Sequence, residues 1–228
     1  MKTVKVRRGQ QFITRTACRM CISVGARVYE NGGLQIILEW ILDRFEGCTV
    51  VVADTLQRHN LPQSLSEAQR EHRAMQNGDT WLLHHESTLG QFSHRIKIER
   101  WNNLLHRPTF FEHVQSIADA YEVYPAFREA VECDINSYLR RKQVPPHTYL
   151  ELRSGGQKYI LEELAVIALL EATIPSVEVY PGAQLHACKV FKQHKLVNVT
   201  PYLSGVRFVE LNISDHDTTT PMQDRANS

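Results

Sequence analysis

The chain has 228 residues, 43% of them hydrophobic and 22% charged, with a formal net charge of +1. That suits one sizeable core and excludes a fibrous, disordered or strongly basic protein, so any nucleic-acid surface must be local. Five cysteines without framework spacing, and no charged-then-apolar leader or long apolar run, point to a cytoplasmic chain with reduced thiols, neither secreted nor membrane-spanning.

Residues 1–11 carry Lys2, Lys5, Arg7 and Arg8 and read as a basic, mobile leader. A single domain is expected over 12–213, and the polar, Thr-containing stretch 214–228 reads as a disordered tail. Phe12 to Val24 reads as a strand broken by Gly25-Ala26. Alternation places Arg19, Cys21 and Ser23 on one face and Cys18, Met20 and Ile22 on the other. The Cys18-x-x-Cys21 thiols then point apart, and no second pair completes a four-ligand site, so no metal is expected.

Leu34 to Phe45 is an amphipathic helix between Gly33 and Gly47, and Cys48 to Ala53 is a continuous apolar strand. Strand, helix and strand with short joins read as a parallel crossover, hence an α/β, Rossmann-like sheet flanked by helices. Working sites in such sheets lie beyond the carboxyl ends of the strands, where Ser23 and Asp54 fall. Ser64, Ser66 and Glu67 suit a helix start before 68–76, interrupted by Gly78.

From about Trp81 to Lys142 the chain reads as several helices punctuated by Pro108, Pro125 and Pro145-Pro146. Basic side chains gather in and just before this stretch: Arg70, Arg73, Arg95, Lys97, Arg100, Arg107 and Arg140-Arg141-Lys142. Acidic neighbours (Glu67, Glu71, Glu99) interleave with them, so solvated faces and a nucleic-acid surface are both open readings.

Ser154-Gly155-Gly156 precedes a helix, 158–170, that is apolar nearly all round and therefore buried. Glu162 falls in a polar sector able to reach water, whereas Glu163 sits among aliphatics with Tyr159 one turn behind. Burial without a cation raises a carboxyl pKa, which describes a candidate general base; a Glu163 simply hydrogen-bonded to backbone or a basic side chain is the alternative. Ile174 to Tyr180 is another strand, ending at Pro181-Gly182. Residues 187–196 suit a short helix and 206–213 an alternating strand.

No Gly-x-Ser-x-Gly elbow surrounds Ser23, no histidine is placed as a triad partner, and both the dinucleotide fingerprint and the P-loop are missing. A catalyst of this fold without a nucleotide loop must receive an already activated substrate, which favours acyl transfer from a ready-made ester.

The segments Cys21-Ile-Ser23-Val-Gly25, Val50-Val-Val-Ala-Asp54-Thr-Leu-Gln57, Tyr159-Ile-Leu-Glu-Glu163 and Val179-Tyr180-Pro181 together resemble the tRNA-dependent cyclodipeptide synthases in order and spacing. The match covers about 17–60 and 155–182; the middle is similar mainly in Arg100-Trp101 and its basic character. Ala26 and Pro181 resemble the subset with Pro after the second catalytic tyrosine, while Cys21 stands where some members have Gly.

This resemblance implies a fold similar to the catalytic domain of tyrosyl- and tryptophanyl-tRNA synthetases without their ATP-binding motifs. It implies an aminoacyltransferase that takes two aminoacyl-tRNAs, needs no cofactor, and joins the amino acids into a 2,5-diketopiperazine by ping-pong transfer through aminoacyl- and dipeptidyl-serine intermediates. Ser23 would be the nucleophile. Tyr159 and Glu163 would hold the bound amine, Glu163 also taking the proton when the second amine attacks, and Tyr180 would relay a proton at ring closure. The basic stretches, with Arg70, Arg73, Arg95, Lys97 and Arg100 as candidates, would form a tRNA surface, and the chain would act as a monomer.

Arg19, Cys21 and Glu178 share strand faces with Ser23 and Tyr180, so with Ala26 and Pro181 they are candidate walls of side-chain pockets. Arg19 and Glu178 pairing only with each other is the alternative. Two other readings of the whole are a noncatalytic tRNA-binding module of synthetase-like fold and a serine esterase.

Overall fold

The computed structural model describes residues 2–13, 16–145, 148–193 and 200–215. Six strands form one sheet in the order β1-β6-β5-β2-β3-β4. They are β1 (Lys2–Arg8), β2 (Cys18–Ser23), β3 (Cys48–Ala53), β4 (Ile96–Arg100), β5 (Val177–Tyr180) and β6 (Arg207–Asp215). Pairing is parallel from β6 through β4, and β1 alone runs antiparallel, against β6.

The chain therefore winds outward from β2 through β3 to β4, then returns to the other side of β2 to lay down β5. Strand order reverses between β2 and β5, and their carboxyl ends carry Ser23 and Tyr180. Such a reversal opens a crevice, because the connections leave in opposite directions.

α1 (Gly33–Leu42) covers one sheet face, packing Ile37, Leu38 and Ile41 with Met20, Ile22, Val50 and Val52. The opposite face, with Cys21, Val51 and Ala53, meets Val166, Leu169 and Leu170 of α7 (Tyr149–Thr173) and Trp101 of the short α4 (Trp101–Leu105). The other side of α7 closes a helical core with α5 (Phe110–Val123), α6 (Pro125–Lys142), α8 (His186–Gln193) and α9 (Pro201–Gly205). Buried on both sides, α7 needs the nearly continuous apolar surface seen in its sequence.

Several expectations change. Lys2–Arg8 is not a mobile leader but the edge strand β1, because Val4 and Val6 alternate with charged residues and pack on the core while the backbone pairs with β6. The first core strand begins at Cys18 rather than Phe12, which closes a 3-10 turn at Gln10–Phe12. The last strand runs to Asp215, and 216–228 of the expected tail lie outside the described residues.

α2 (Glu67–His84) starts where a helix was expected, at Ser66, which forms a reciprocal capping box with Gln69, but it continues through Gly78. A Cβ at Gly78 would lie 2.5 Å from Asp54 Cβ, so this glycine admits a close approach instead of ending the helix. α3 (Glu86–Gln91) follows, and then β4, where only helices were expected. β4 is an edge strand, paired among the described residues only with β3, and its Lys97 and Ile98 are exposed.

Ser154-Gly155-Gly156 lies inside α7 rather than opening it, since α7 is docked against a loop. A Cβ on Gly155 would come to 2.1 Å from the backbone oxygen of His59, in the 3-10 turn Thr55–Asn60. Gly155→Ala must push that turn off α7 and is expected to destabilise the fold by about 1–3 kcal/mol, read by urea unfolding. An unchanged midpoint would show that the turn yields freely.

Candidate active site

Ser23 closes β2 with a tight turn: Ala26 N–H donates to Ser23 O at 3.0 Å, and Gly25 takes φ +83°. Positive φ at the third position of such a turn favours glycine, which accounts for Ser23-Val24-Gly25-Ala26. The turn leaves the Ser23 side chain half-buried at the crevice. Tyr180 ends β5 at a tighter, three-residue turn, with Gly182 N–H donating to Tyr180 O at 2.9 Å. A Cβ at Gly182 would lie 2.9 Å from Tyr180 Cε1, so glycine makes room for the ring.

α7 crosses the crevice and supplies Tyr159 and Glu163, one turn apart. The Ser23 side chain lies beside both phenols, Tyr159 and Tyr180, and its interaction with each partly offsets the rise that burial and the Glu163 charge impose. Tyr159 remains well above the usual tyrosine range and Tyr180 is pushed up to about 12, so both stay protonated donors at neutral pH. Gln57 Nε2 approaches Tyr159 Oη at 3.4 Å from the other side.

Burial pushes the Glu163 carboxyl up to about 8, with the charges of Glu178 and Asp134 adding to the shift. The side chain keeps partial solvent exposure, as a group at the bottom of a crevice does. Among the described residues no cation contributes to this rise, which argues against a Glu163 held by a basic side chain. A carboxyl poised near neutrality can exchange a proton with an amine, and two neutral phenols beside a serine can orient an acyl group and return a proton to the serine oxygen.

Glu162 was expected to reach water and instead is buried. It accepts hydrogen bonds from both terminal nitrogens of Arg58 and from Trp101 Nε1 at 2.9 Å, with His59 Nε2 3.0 Å away. Burial alone would raise its pKa, but His59 and Arg58 outweigh this and hold it below the usual carboxylate value. Neighbouring carboxyls on one helix thus have opposite roles: Glu162 anchors the loop carrying Gln57, and Glu163 is left without a cation.

Arg19 and Glu178 pair through Arg19 Nε at 2.7 Å, each side chain 3% exposed. Glu171 lies 3.7 Å from Arg19 Nη2. Arg19 Nη2 and Glu178 Oε1 nevertheless lack hydrogen-bond partners. Cys21 sits beside them, its thiol pushed well above the usual range by burial and by Glu178. Ala26 and Pro181 occupy the two turns that frame the crevice.

The basic candidates are dispersed. Arg95 donates to Phe45 O and Glu46 O at 2.5 and 3.1 Å, and Arg100 bridges Asp54 and Asp79, both at 2.5 Å. These two hold the fold together. Arg73 and Lys97 are exposed, Lys97 lying 3.5 Å from Glu99, and Arg70 bonds Leu65 O at 3.3 Å. Arg140, Arg141 and Lys142 are exposed at the end of α6, and Arg141 lies close enough to Tyr180 to lower its pKa slightly.

Sequence reasoning quoted Gln57 and Trp101 without assigning them, and it missed Tyr29, whose hydroxyl donates to Cys21 O at 3.1 Å and whose ring is within electrostatic reach of Tyr159 and Tyr180. Nothing in local spacing marks Tyr29; only the turn after Gly25 brings it back. Two surface hollows of about 550 Å³ each, along Leu82, Leu89 and Ile98 and along Arg128, Cys133 and Arg140, include none of the four central residues.

Solved structures share this architecture. A cyclodipeptide synthase from Fluoribacter dumoffii superposes with a TM-score of 0.84 at 22% identity, over 95% of this chain and all of the other. The fold is that of the cyclodipeptide synthases. One from Staphylococcus haemolyticus matches with a TM-score of 0.69 at 12% identity, over 95% of this chain and 100% of that one. A Mycobacterium tuberculosis structure, described as relating cyclodipeptide synthetases to type I tRNA synthetases, matches with 0.66 at 12% identity over 93% of each chain. No protein-family model and no curated sequence matches the chain. No helix among the described residues is long and apolar enough to cross a membrane.

The Glu163 proton gives a test independent of function. Folding raises this pKa from 4.5 to about 8, so the stabilisation it contributes is complete below pH 4.5 and is lost as pH rises to about 8. Glu163→Gln cannot ionise, so its stability relative to wild type should climb across that window and level off above it, measured by thermal melts at stepped pH. A constant offset at every pH would contradict the assignment.

Proposed function

We propose that the chain is a tRNA-dependent cyclodipeptide synthase of the subset with Pro after the second catalytic tyrosine. The observation that carries this is the convergence of two strand ends and one helix: a serine beside two protonated phenols and a carboxyl whose pKa is raised to about 8. Binding alone requires none of these, and a general esterase would need a base positioned on the serine.

In this reading Ser23 Oγ attacks the ester carbonyl of the first aminoacyl-tRNA. The bond to the ribose oxygen breaks, the departing tRNA takes up a proton, and the amino acid stays on Ser23 as an ester. Tyr159 and Glu163 hold its amine, and Glu163 takes the proton as that amine attacks the ester carbonyl of the second aminoacyl-tRNA, whose bond to the ribose oxygen breaks and frees the second tRNA. The dipeptidyl group then closes on its own ester carbonyl, and Tyr180 returns a proton to Ser23 Oγ as the 2,5-diketopiperazine leaves. Arg141 and its neighbours at the crevice mouth suit an acceptor-end phosphate, with Arg73 and Lys97 as further contacts.

Mass spectrometry of medium from bacteria expressing the wild-type chain should find a cyclic dipeptide that Ser23→Ala does not make. A soluble chain that binds tRNA and makes none would favour the binding-module reading.

The unpartnered Arg19 Nη2 and Glu178 Oε1 suit a polar side-chain pocket. Removing one partner alone would strand a buried charge at a cost of about 3–5 kcal/mol, so the double variant Arg19→Met/Glu178→Met is the informative one. Its product masses should shift toward apolar amino acids. An unchanged product set would put the pair outside the pocket.

A further inference from the structure

The joint between α2 and α3 brings two imidazoles together. His84 ends α2, and His85, at φ −100° and ψ 8°, caps both helices. Their rings lie 4.8 Å apart at 84°. Facing them is Glu30, in the segment between the Arg27–Tyr29 turn and α1. Its Oε2 is 3.4 Å from His84 Nε2 and its Oε1 is 3.7 Å from His85 Nε2. One ligand atom from each of the three lies within 4.8 Å of the others.

His85 is 6% exposed, and its Nε2 has no hydrogen-bond partner. The Glu30 carboxylate at 3.7 Å is too far to serve as one. Burying such a nitrogen unpaired is costly, and protein interiors usually satisfy it with protein, water or an ion.

We propose that Glu30, His84 and His85 form a binding site for one divalent transition-metal ion of the zinc class, with solvent completing the coordination. Two imidazole nitrogens and a carboxylate suit such an ion, whereas magnesium and calcium prefer shells of oxygen. Zinc holds these donors at about 2.0–2.1 Å in a tetrahedron, which puts ligand atoms about 3.4 Å apart. The two Glu30 contacts, 3.4 and 3.7 Å, already have nearly that spacing. The side chains of His84 (66% exposed) and Glu30 (37%) leave an entry path and room for water.

The consequence is structural. Lys2 Nζ donates to Glu30 O at 2.7 Å, which steadies the segment from the β1 side. His85 lies 4.5 Å from Trp81 between ring centroids, and Trp81 makes an edge contact with Tyr29 at 6.4 Å. Tyr29 in turn bonds Cys21 O, two residues before Ser23. The ion pins the end of α2 to the segment after Ser23 without entering the crevice.

Full-length protein stripped with chelator and then dialysed would be titrated with zinc chloride by calorimetry, with magnesium chloride as control. One zinc equivalent is expected with micromolar or tighter affinity and a raised melting temperature. Affinity should fall about tenfold or more in both His84→Ala and Glu30→Gln, with no response to magnesium. Both substituted side chains reach solvent, and circular dichroism would verify that the variants remain folded. No zinc binding by wild type, or equal zinc affinity in the wild type and the folded variants, overturns the site.

Discussion

Everything at the crevice depends on leaving one half-buried carboxyl without a cation among the described residues. α7 packs against the sheet on one side and the helical core on the other, and Glu163 is held where Glu178 and Asp134 repel its charge. Three neighbouring cations are committed elsewhere: Arg19 to Glu178, Arg58 to Glu162 and Arg100 to Asp54. A mobile cation able to reach Glu163 would return it to an ordinary carboxylate and remove the base.

The same economy explains the scaffold around it. Glu162 ties the Thr55–Asn60 turn to α7 through Arg58 and His59, and Gly155 lets the backbones meet closely enough for those contacts. That turn presents Gln57 to Tyr159, while Asp54 at its start takes Arg100 from β4 and rests on Gly78 of α2. Tyr159 is therefore positioned by a chain of contacts running from the sheet edge to the central helix.

Much of this was legible in the sequence because it rests on local pattern. β3 came out residue for residue from an apolar run between turns, and the strand period placed Arg19, Cys21 and Ser23 on one face. The buried character of α7 followed from the helical period, and Glu163 is half-buried on it. What failed was long-range. β1 and β4 are edge strands whose polar alternation resembles a loose leader or a helix face until partners are known. Glu162 was misjudged because period alone shows a polar sector but not that Arg58, His59 and Trp101 would cover it. Gly78 reads as a break and Gly155 as a helix start, yet both are close approaches dictated by Asp54 and His59. Tyr29 carried no signal at all.

The most direct test of the central claim separates the serine from the base. Glu163→Gln would be incubated with a pool of aminoacyl-tRNAs and analysed by intact-protein and peptide mass spectrometry. The account predicts an aminoacyl group trapped on the peptide containing Ser23, with release of cyclic dipeptide reduced by about 10²-fold or more. No adduct, an adduct that persists in the Ser23→Ala/Glu163→Gln double variant, or undiminished product would contradict the division of roles between the nucleophile and the buried carboxyl.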